Sequence, residues 1–411
     1  MCIYVHLTLN PKLSNMKFLP FLCLMFIVCS CKIIKSASKE LKAYNNEKYD
    51  IVNNQKLYFS DSAKTKLNVK INDSMYNMIF DLGAMGTVLY NPKFELSSTS
   101  IVSKRDVIGM DNKIRAASLR YVVDSLVIPG MKVQKKGISI INKQQQKICG
   151  SDTAAIQKFR GVDGILGNDI FGSADAYHIN YEEGHIEFLP KQFTLENFKG
   201  YQQVDASFNF MEQVMLKLTI NGKAKKFIFD TGNTTGGLFL NQSISELDNT
   251  AIPNYEIHTM LLGVGGIPVT KYTKVFENYP YLIGKDLELK TTFACDTSAK
   301  QNNWGQAIAK KFNWIVDVKH KKVYCKYLTP VIKPATPKAN PFIQAATILN
   351  DKIVIYAVKK PVSKFDLGDE VISVNGQKVT KENQCDMLNV IYAAGNWDNL
   401  QLEVKHMNGN K

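Results

Sequence analysis

The chain has 411 residues, of which 45% are hydrophobic and 10% aromatic, so it can fill more than one packed core and general disorder is excluded. Its formal net charge of +14 is spread along the sequence without a dense basic block, which is typical of a solvated basic surface. A basic face towards anionic lipid headgroups or peptidoglycan-associated polymers is the second interpretation. Nucleic-acid binding is disfavoured because no known reading module occurs.

The N-terminus predicts an exported protein. From Met16 the sequence reads MKFLPFLCLMFIVCSCKIIKS, a short basic start followed by an apolar run of signal-peptide length. Its end resembles the lipobox of bacterial lipoproteins. Residues 1–31 are therefore the expected signal peptide, Met16 the true start and Cys31 the lipid attachment site, with a plain cleaved signal peptide as the alternative. We expect a cell-envelope location, in the outer membrane or periplasm, with residues 32–55 as a polar tether.

Four cysteines follow this segment, and an oxidising compartment permits disulfides between them. Cys295 with Cys325 is the first pair to test, although four cysteines allow three full pairings, and unpaired buried thiols are the alternative. The remaining two cysteines are Cys149 and Cys385, and the spacings match no zinc-binding pattern.

Short alternating runs separated by turn residues predict an all-β unit over residues 56–192 and a second over residues 193–327. The two units are copies of one pattern. TKLNVKINDSMYNMIFDLGA, with Asn72-Asp73 at its turn, matches VMLKLTINGKAKKFIFDTGN, with a turn at Asn221-Gly222. Further along, Leu166-Gly167 matches Trp304-Gly305, and Ile179 matches Val316. The sequence therefore predicts a duplicated β unit of about 130 residues.

A third unit ends the chain. Residues 328–341, LTPVIKPATPKANP, read as a Pro-rich linker. Residues 342–408 then alternate strands with one helical stretch, KENQCDMLNVIYAA, and predict a small separate α+β domain.

Each copy of the repeat carries an aspartate followed two residues later by glycine: Asp81-Leu82-Gly83 and Asp230-Thr231-Gly232. Two carboxylates and one water can hydrolyse a peptide bond if the carboxyl groups are close enough to share a proton. Two related β lobes that each supply one aspartate from a tight turn provide such a geometry. Gly83 and Gly232 are expected to let the backbone fold around each carboxylate.

At this point a family resemblance is evident. FIFDTGN resembles the Asp-Thr-Gly signature of aspartic proteases, GILGND resembles the apolar-apolar-Gly element of that family, and LGDEVISVNGQKV resembles the core of a PDZ domain. The arrangement is similar to a bilobal pepsin-like protein built from retropepsin-type units, and to aspartyl-protease-family proteins of Bacteroidetes. It implies an all-β-dominated fold: two six-stranded acid-protease β-barrel lobes plus a small α+β PDZ-like domain.

The resemblance also implies a function. It implies an exported aspartic endopeptidase with catalytic Asp81 and Asp230, loop-shaping Gly83 and Gly232, and a supporting hydroxyl at Thr231. Extended peptides or unfolded proteins would be its substrates, and no metal or organic cofactor is expected. The PDZ-like domain would take a C-terminal peptide as an added strand. Its front, NPFIQAATI, lacks a clear Gly-Phe loop, so a degenerate packing domain is the alternative.

Leu82 departs from the family pattern, in which a Thr or Ser hydroxyl at this position bonds across the lobes. The rival function is therefore a catalytically weak or inactive pseudo-protease that binds extended peptides, and an envelope scaffold is a third alternative. Ala84, which follows Gly83, removes a side-chain donor to Asp81, so the pKa of that carboxyl is depressed less, which suits work nearer neutral pH.

Two other features stay open. IGMDNKIRAA and LLGVGGIPVT are candidate flap hairpins or plain turns, and neither holds the tyrosine that pepsin-like flaps carry at their tip. The histidines show no ligand spacing, so no metal site is predicted; they are His178, His185, His258 and His320.

Overall fold

The computed structural model describes residues 46–60, 65–90, 92–108, 114–141, 162–233, 238–240, 252–262, 268–284, 287–296, 301–328, 344–394 and 397–406. The predicted signal peptide with Cys31, the thiol of Cys149, both candidate flap tips and residues 329–341 of the predicted linker lie outside these ranges. Strands account for 56% and helices for 10%, which confirms the prediction of a strand-dominated, barrel-lobed fold. In the part of the chain described, no helix is long and apolar enough to cross a bilayer.

The described residues of the first lobe form eleven strands, one α-helix and a 3₁₀ turn at Ser98–Ser100. In chain order these are β1 (Lys48–Ile51), β2 (Lys56–Tyr58), β3 (Lys66–Ile71), β4 (Ser74–Asp81), β5 (Val88–Tyr90), β6 (Ile101–Ile108), β7 (Ile114–Ile128), β8 (Met131–Ile141), β9 (Gly164–Gly167), α1 (Asn168–Phe171), β10 (Ala176–Asn180) and β11 (His185–Leu189).

The second lobe has the same sequence of elements, after a 3₁₀ turn at Leu195–Asn197. They are β12 (Gln202–Val204), β13 (Ala206–Phe208), β14 (Val214–Ile220), β15 (Lys223–Phe229), β16 (Leu238–Leu240), β17 (Tyr255–Leu262), β18 (Pro268–Ile283), β19 (Leu287–Asp296), β20 (Asn303–Trp304), α2 (Gln306–Ala309), β21 (Phe312–Asp317) and β22 (Lys322–Tyr327).

Six strands of the first lobe close into a barrel in the order β8-β5-β9-β4-β3-β7, with β7 pairing back to β8. The β3–β4 hairpin turns at Asn72, whose φ of 50° suits an asparagine and whose side chain accepts hydrogen bonds from two backbone amides of β7. Alternate residues of β4 point into the barrel, and Tyr76, Met78 and Phe80 are fully buried there. This alternation explains why the apolar run before Asp81 forms a barrel strand.

The second barrel closes in the equivalent order β19-β16-β20-β15-β14-β18, with β18 pairing back to β19. Its first hairpin turns at Asn221-Gly222, with φ of 46° and 71°, as a two-residue turn of this type requires. In both barrels the strand before the aspartate pairs in parallel with the apolar-Gly element, Phe80 with Leu166 and Phe229 with Trp304. The two lobes therefore share one pattern of strand pairing, as the repeat predicted.

A third sheet joins the lobes in the order β12-β22-β21-β10-β11-β2. Ile179 of β10 pairs with Trp314 of β21, and the apolar side chains of both lobes form one continuous core. Equivalent turns follow β10 and β21, because the side chains of Asn180 and Asp317 each accept from the amide three residues on. The position of the two aspartate loops relative to each other is thus fixed by shared strands and a shared core.

One end of the predicted tether is part of this fold. Within residues 32–55, Lys48–Ile51 form β1, which pairs with β8. Glu47 is held beside it because Lys136 Nζ, a side chain only 1% exposed, lies 2.9 Å from its carboxylate and 3.0 Å from Asp169. Composition alone predicts a polar tether over residues 32–55, because composition does not reveal that Glu47 pairs with the buried Lys136.

The C-terminal unit, described over residues 344–406 apart from 395 and 396, has its own hydrophobic core. Its elements are β23 (Gln344–Leu349), β24 (Lys352–Lys360), β25 (Glu370–Val374), β26 (Gln377–Lys378), α3 (Gln384–Ala393), a 3₁₀ turn at Trp397–Asn399 and β27 (Leu402–Lys405). The end of β24 also pairs with β17, from Thr259 opposite Ala357 to Glu256 opposite Lys360. The C-terminal unit therefore extends the sheet of the second lobe.

The first disulfide pair proposed for testing is not formed. Cys295 and Cys325 are both buried thiols, on β19 and β22, and they are not joined to each other. Burial raises the pKa of the Cys325 thiol to about 12, so it stays protonated and unreactive. Cys385, on α3, is disulfide-bonded.

Candidate functional site

The two predicted aspartates lie in matching loops at the ends of barrel strands. Asp81 ends β4, and its Oδ1 accepts backbone N–H groups from Gly83 at 2.8 Å and Ala84 at 3.0 Å. Asp230 follows β15, and its Oδ1 accepts from Gly232 at 3.1 Å and Asn233 at 2.9 Å. Each loop therefore wraps its own carboxylate and leaves the second oxygen for other contacts.

The structure brings the two aspartate loops face to face, so that each loop's glycine lies against the carboxyl group of the other lobe. Gly83 and Gly232 are the residues that make this approach feasible. A Cβ on Gly83 would lie 2.4 Å from Asp230 Cγ, and one on Gly232 would lie 2.2 Å from Asp81 Cγ. Neither glycine adopts a left-handed backbone. Besides folding around their own carboxylates, these positions need glycine because a side chain would collide with the other lobe's aspartate.

Asp81 holds its proton more tightly than an isolated aspartate does. Burial, followed by the charge of Asp230 and the hydrogen bond to it, raises the pKa of Asp81 well above its ordinary value. The amides of Ala84 and Gly83 lower it, but they do not outweigh these effects. Two carboxyl groups in such close proximity cannot both ionise without a large cost in free energy. Asp81 therefore keeps its proton at a pH where an isolated aspartate has lost it.

Asn303 makes the pair asymmetric. It is 1% exposed, its Nδ2 donates to Asp230 Oδ2, and its Oδ1 accepts from Asn233 Nδ2 at 2.9 Å. The equivalent position in the first lobe is Ile165, which has no polar side chain. Among the described residues, Asp230 thus receives three hydrogen-bond donors and Asp81 receives two.

The sequence reasoning missed Asn303, although a signal was present. The second copy of the apolar-Gly element reads NNWG where the first reads GILG. A polar residue at an otherwise apolar, buried position of a matched repeat marks a side chain with a specific hydrogen-bonding role.

The hydroxyl of Thr231 supports the two aspartate loops. Its Oγ1 accepts from the Leu82 amide at 3.0 Å and donates to the Phe80 carbonyl at 3.0 Å, so it bridges the lobes twice. Leu82 occupies the symmetric position, is fully buried, and packs into the hydrophobic core. The bridge is therefore one-sided, because the Leu82 side chain has no hydroxyl that could form the equivalent hydrogen bonds to the second loop.

Two glutamines also hold the loops, and the sequence reasoning did not identify them. Gln213 Nε2 donates across the lobes to the Gly83 carbonyl at 2.6 Å. Gln306 Nε2 donates to the Thr231 carbonyl at 3.0 Å and also to the Thr65 hydroxyl of the first lobe. Both side chains are buried, so these amides tie each loop to the opposite lobe.

Tyr90, at the end of β5, is a further residue near the pair. Burial and the nearby Asp81 raise the pKa of its phenol to about 12. The hydroxyl therefore stays protonated close to the carboxyl pair. Neither candidate flap sequence carries a tyrosine, so Tyr90 is the phenol that the structure places within electrostatic reach of the site.

The remaining sequence candidates have structural contacts. Both candidate flaps are hairpins, β6–β7 and β17–β18, with tips outside the described residues. Two aspartates beside the first apolar-Gly element also have structural contacts: Asp163 accepts the Asn77 amide at 2.8 Å, and Asp169 joins the ion pair of Lys136. The histidines show no ligand spacing in the sequence, but the structure places His178 and His185 together with Glu187. Paired strands bring them together, so their separation along the chain matches no ligand spacing.

No protein-family model matches the chain, and no curated protein matches its sequence. Among solved structures it is similar to conglutin gamma, a unique basic 7S globulin from lupine seeds, with a TM-score of 0.39 and 12% sequence identity. The match covers 68% of this chain and 95% of that one.

Proposed function

We propose that this chain is an aspartic endopeptidase that hydrolyses peptide bonds with Asp81, Asp230 and one water molecule. The observation that carries the proposal is the pair of aspartates that face each other between two matching barrels, each packed against the other lobe's glycine. Burial and the charge of Asp230 raise the pKa of Asp81 well above its ordinary value. A general acid and a general base in direct contact are what water attack on a peptide carbonyl requires.

The asymmetry of the pair assigns the roles. Asp230, whose carboxyl group accepts a hydrogen bond from Asn303, takes a proton from the water. At the same time the water oxygen forms a bond to the peptide carbon. Asp81 donates its proton to the carbonyl oxygen, which gives a neutral tetrahedral diol. Collapse of the diol breaks the C–N bond as Asp230 returns its proton to the nitrogen and Asp81 recovers one from a hydroxyl. No metal or organic cofactor takes part.

The proposed substrates are peptides or unfolded segments in extended conformation, because only an extended chain exposes its backbone to a cleft between two lobes. The C-terminal unit is proposed to be PDZ-like and to add a peptide beside β23, whose described pairing is with β24. Tyr392 of α3 already donates to the Ala346 carbonyl of β23 at 2.5 Å, a contact that favours packing over tight peptide capture there.

The proposed location is the cell envelope, with a lipid anchor at Cys31 on a chain that starts at Met16. Fractionation of cells that express wild type or Cys31→Ser tests it. Wild type should be found with membranes and Cys31→Ser in the soluble envelope fraction. An unchanged distribution would contradict the anchor.

The second candidate function is a pseudo-protease that binds extended peptides without cutting them. Leu82 favours it, because the one-sided bridge leaves the first loop with less support than the second. A small misplacement of reacting groups costs about a hundredfold in rate. Such a protein would keep the cleft and lose most of the chemistry.

A peptide library distinguishes the two functions. If the chain is a peptidase, wild type cleaves members of the library, Asp230→Asn does not, and the surface variant Asp205→Asn cleaves like wild type. Binding of the cleaved peptides to Asp230→Asn, measured by fluorescence anisotropy, shows that its cleft is intact. Binding without cleavage by wild type would support the pseudo-protease instead.

A further inference from the structure

A second cluster of chemically active side chains lies on the hairpin of β10 and β11. His178 pairs directly with Glu187 across the two strands, and Asn180 pairs with His185. Because alternate residues of a strand point to the same face, the side chains of His178, His185 and Glu187 project together. Their ligand atoms all lie within 4.8 Å of one another, the one such group among the residues that the structure describes.

The cluster is buried and one of its donors has no partner. His178 is 5% exposed and His185 only 1%. His185 Nδ1 makes no hydrogen bond; its nearest charged neighbour, Glu183 Oε2, is 3.6 Å away. A buried imidazole nitrogen without a partner carries the cost of lost hydration, so an unfilled contact at this position requires an explanation.

The surroundings of His178 also suit a ligand. Its Nδ1 lies 2.9 Å from Glu187 Oε1, and its Nε2 lies 2.6 Å from the Tyr201 hydroxyl. Without an ion, Nδ1–H donates to Glu187 and Nε2 accepts from the Tyr201 hydroxyl. Zinc would take the place of the proton on Nδ1, and Nε2–H would then donate to the Tyr201 oxygen. Metal-binding histidines are generally oriented by such a contact at the second ring nitrogen.

We propose that His178, His185 and Glu187 bind one Zn²⁺ ion, with water as the fourth ligand. Two ligand atoms of a tetrahedral zinc lie about 3.3 Å apart, given bonds of about 2.0–2.1 Å. His178 and Glu187 would separate slightly, and His185 would move inward, to reach that spacing. Phe198 packs on the His178 ring with centroids 5.3 Å apart, so the ion would fix the hairpin of the joining sheet to the segment that leads into the second lobe.

Titration of the full chain with ZnCl₂ tests the site. After chelator treatment, isothermal titration calorimetry should give one ion per chain, and a hundredfold excess of zinc over Kd should raise Tm by about 5 °C. His185→Gln and Glu187→Gln should each weaken binding by about tenfold or more. His320 is 53% exposed and pairs with Asp317, so the control variant His320→Gln should bind zinc like wild type. Asp81→Asn should also bind zinc like wild type.

Cobalt(II) gives a second readout that does not depend on affinity. Wild type should show the intense visible absorption of a four-coordinate cobalt ion, and His185→Gln should lose it while its circular dichroism spectrum matches wild type. The proposal is overturned if zinc does not bind at one ion per chain. It is also overturned if both ligand variants bind zinc as wild type does, because the ion would then be held elsewhere.

Discussion

Replacement of Leu82 by threonine tests whether the one-sided bridge limits the proposed chemistry. By the symmetry of the loops, a hydroxyl at position 82 would accept the Thr231 amide and donate to the Phe229 carbonyl, as Thr231 does with Leu82 and Phe80. Valine has the shape of threonine without the hydroxyl. Leu82→Val is therefore the matched control, and the difference between the two variants isolates the hydrogen bonds.

The magnitudes follow from burial. Leu82 is fully buried, so the loss of apolar volume should destabilise either variant by about 1–2 kcal/mol. A buried hydroxyl without partners would cost threonine about 1–3 kcal/mol more than valine, whereas two new hydrogen bonds would offset that cost. We therefore expect the two variants to unfold at similar urea concentrations.

Activity should separate the variants. If the second bridge forms and makes the first loop rigid, kcat should rise by about ten- to a hundredfold in Leu82→Thr and stay flat or fall in Leu82→Val. Cleavage of a fluorogenic peptide gives kcat, and urea unfolding gives stability. Equal kcat values in the two variants would refute the reasoning, since the hydroxyl would then have no catalytic consequence.

Three further results are expected. Because the folded pKa of Asp81 is raised, its contribution to stability is full below its ordinary value of 3.8 and is lost as pH rises through the folded pKa. Asp81→Asn should thus match wild type in stability at low pH and exceed it above, by about 1.4 kcal/mol per unit of raised pKa, in urea unfolding. Asn303→Leu should lower kcat at least about tenfold and change the acid limb of the pH profile, because the proposed catalytic pair loses a hydrogen bond. Thr231→Val should leave two buried backbone groups unpaired and cost about 1–3 kcal/mol for each, measured by unfolding.

Each of these has a contrary outcome. A pH-independent stability difference between wild type and Asp81→Asn would mean that no proton is shared. An unmoved acid limb in Asn303→Leu would reduce Asn303 to a packing role. Wild-type stability in Thr231→Val would show that the bridge between the lobes is energetically unimportant.

The barrels could be predicted from the sequence because their signals are local. Two-residue turns at Asn72-Asp73 and Asn221-Gly222 fix the register of each first hairpin, and alternation of apolar residues fixes which face is inward. The repeat then pairs each aspartate strand with its apolar-Gly element. No long-range information beyond the matched copies was needed for this part.

The side-chain partners of the site could not be predicted in the same way. Asn303 lies 73 residues from Asp230, and Lys136 lies 89 residues from Glu47. Strand register brings these groups together, and the loops between them vary freely in length, so their spacing in the chain follows no rule. Only a comparison of the two copies, polar against apolar at one position, points to such residues.

The same comparison explains how a duplicated chain can place its proton. Two identical loops would make the two carboxyl groups equivalent, and the shared proton would have no preferred position. In this chain the copies differ near the carboxyl groups: Ala84 offers no side-chain donor where the second loop has Asn233, and Ile165 stands where the second lobe has Asn303, which donates to Asp230. The raised pKa of Asp81 favours this residue as the acid of the proposed reaction. Leu82 is a separate difference, because its counterpart Thr231 bonds to the backbone groups of Leu82 and Phe80 and not to a carboxyl group. Leu82→Thr should therefore add the second bridge between the loops without removing the asymmetry of the aspartates.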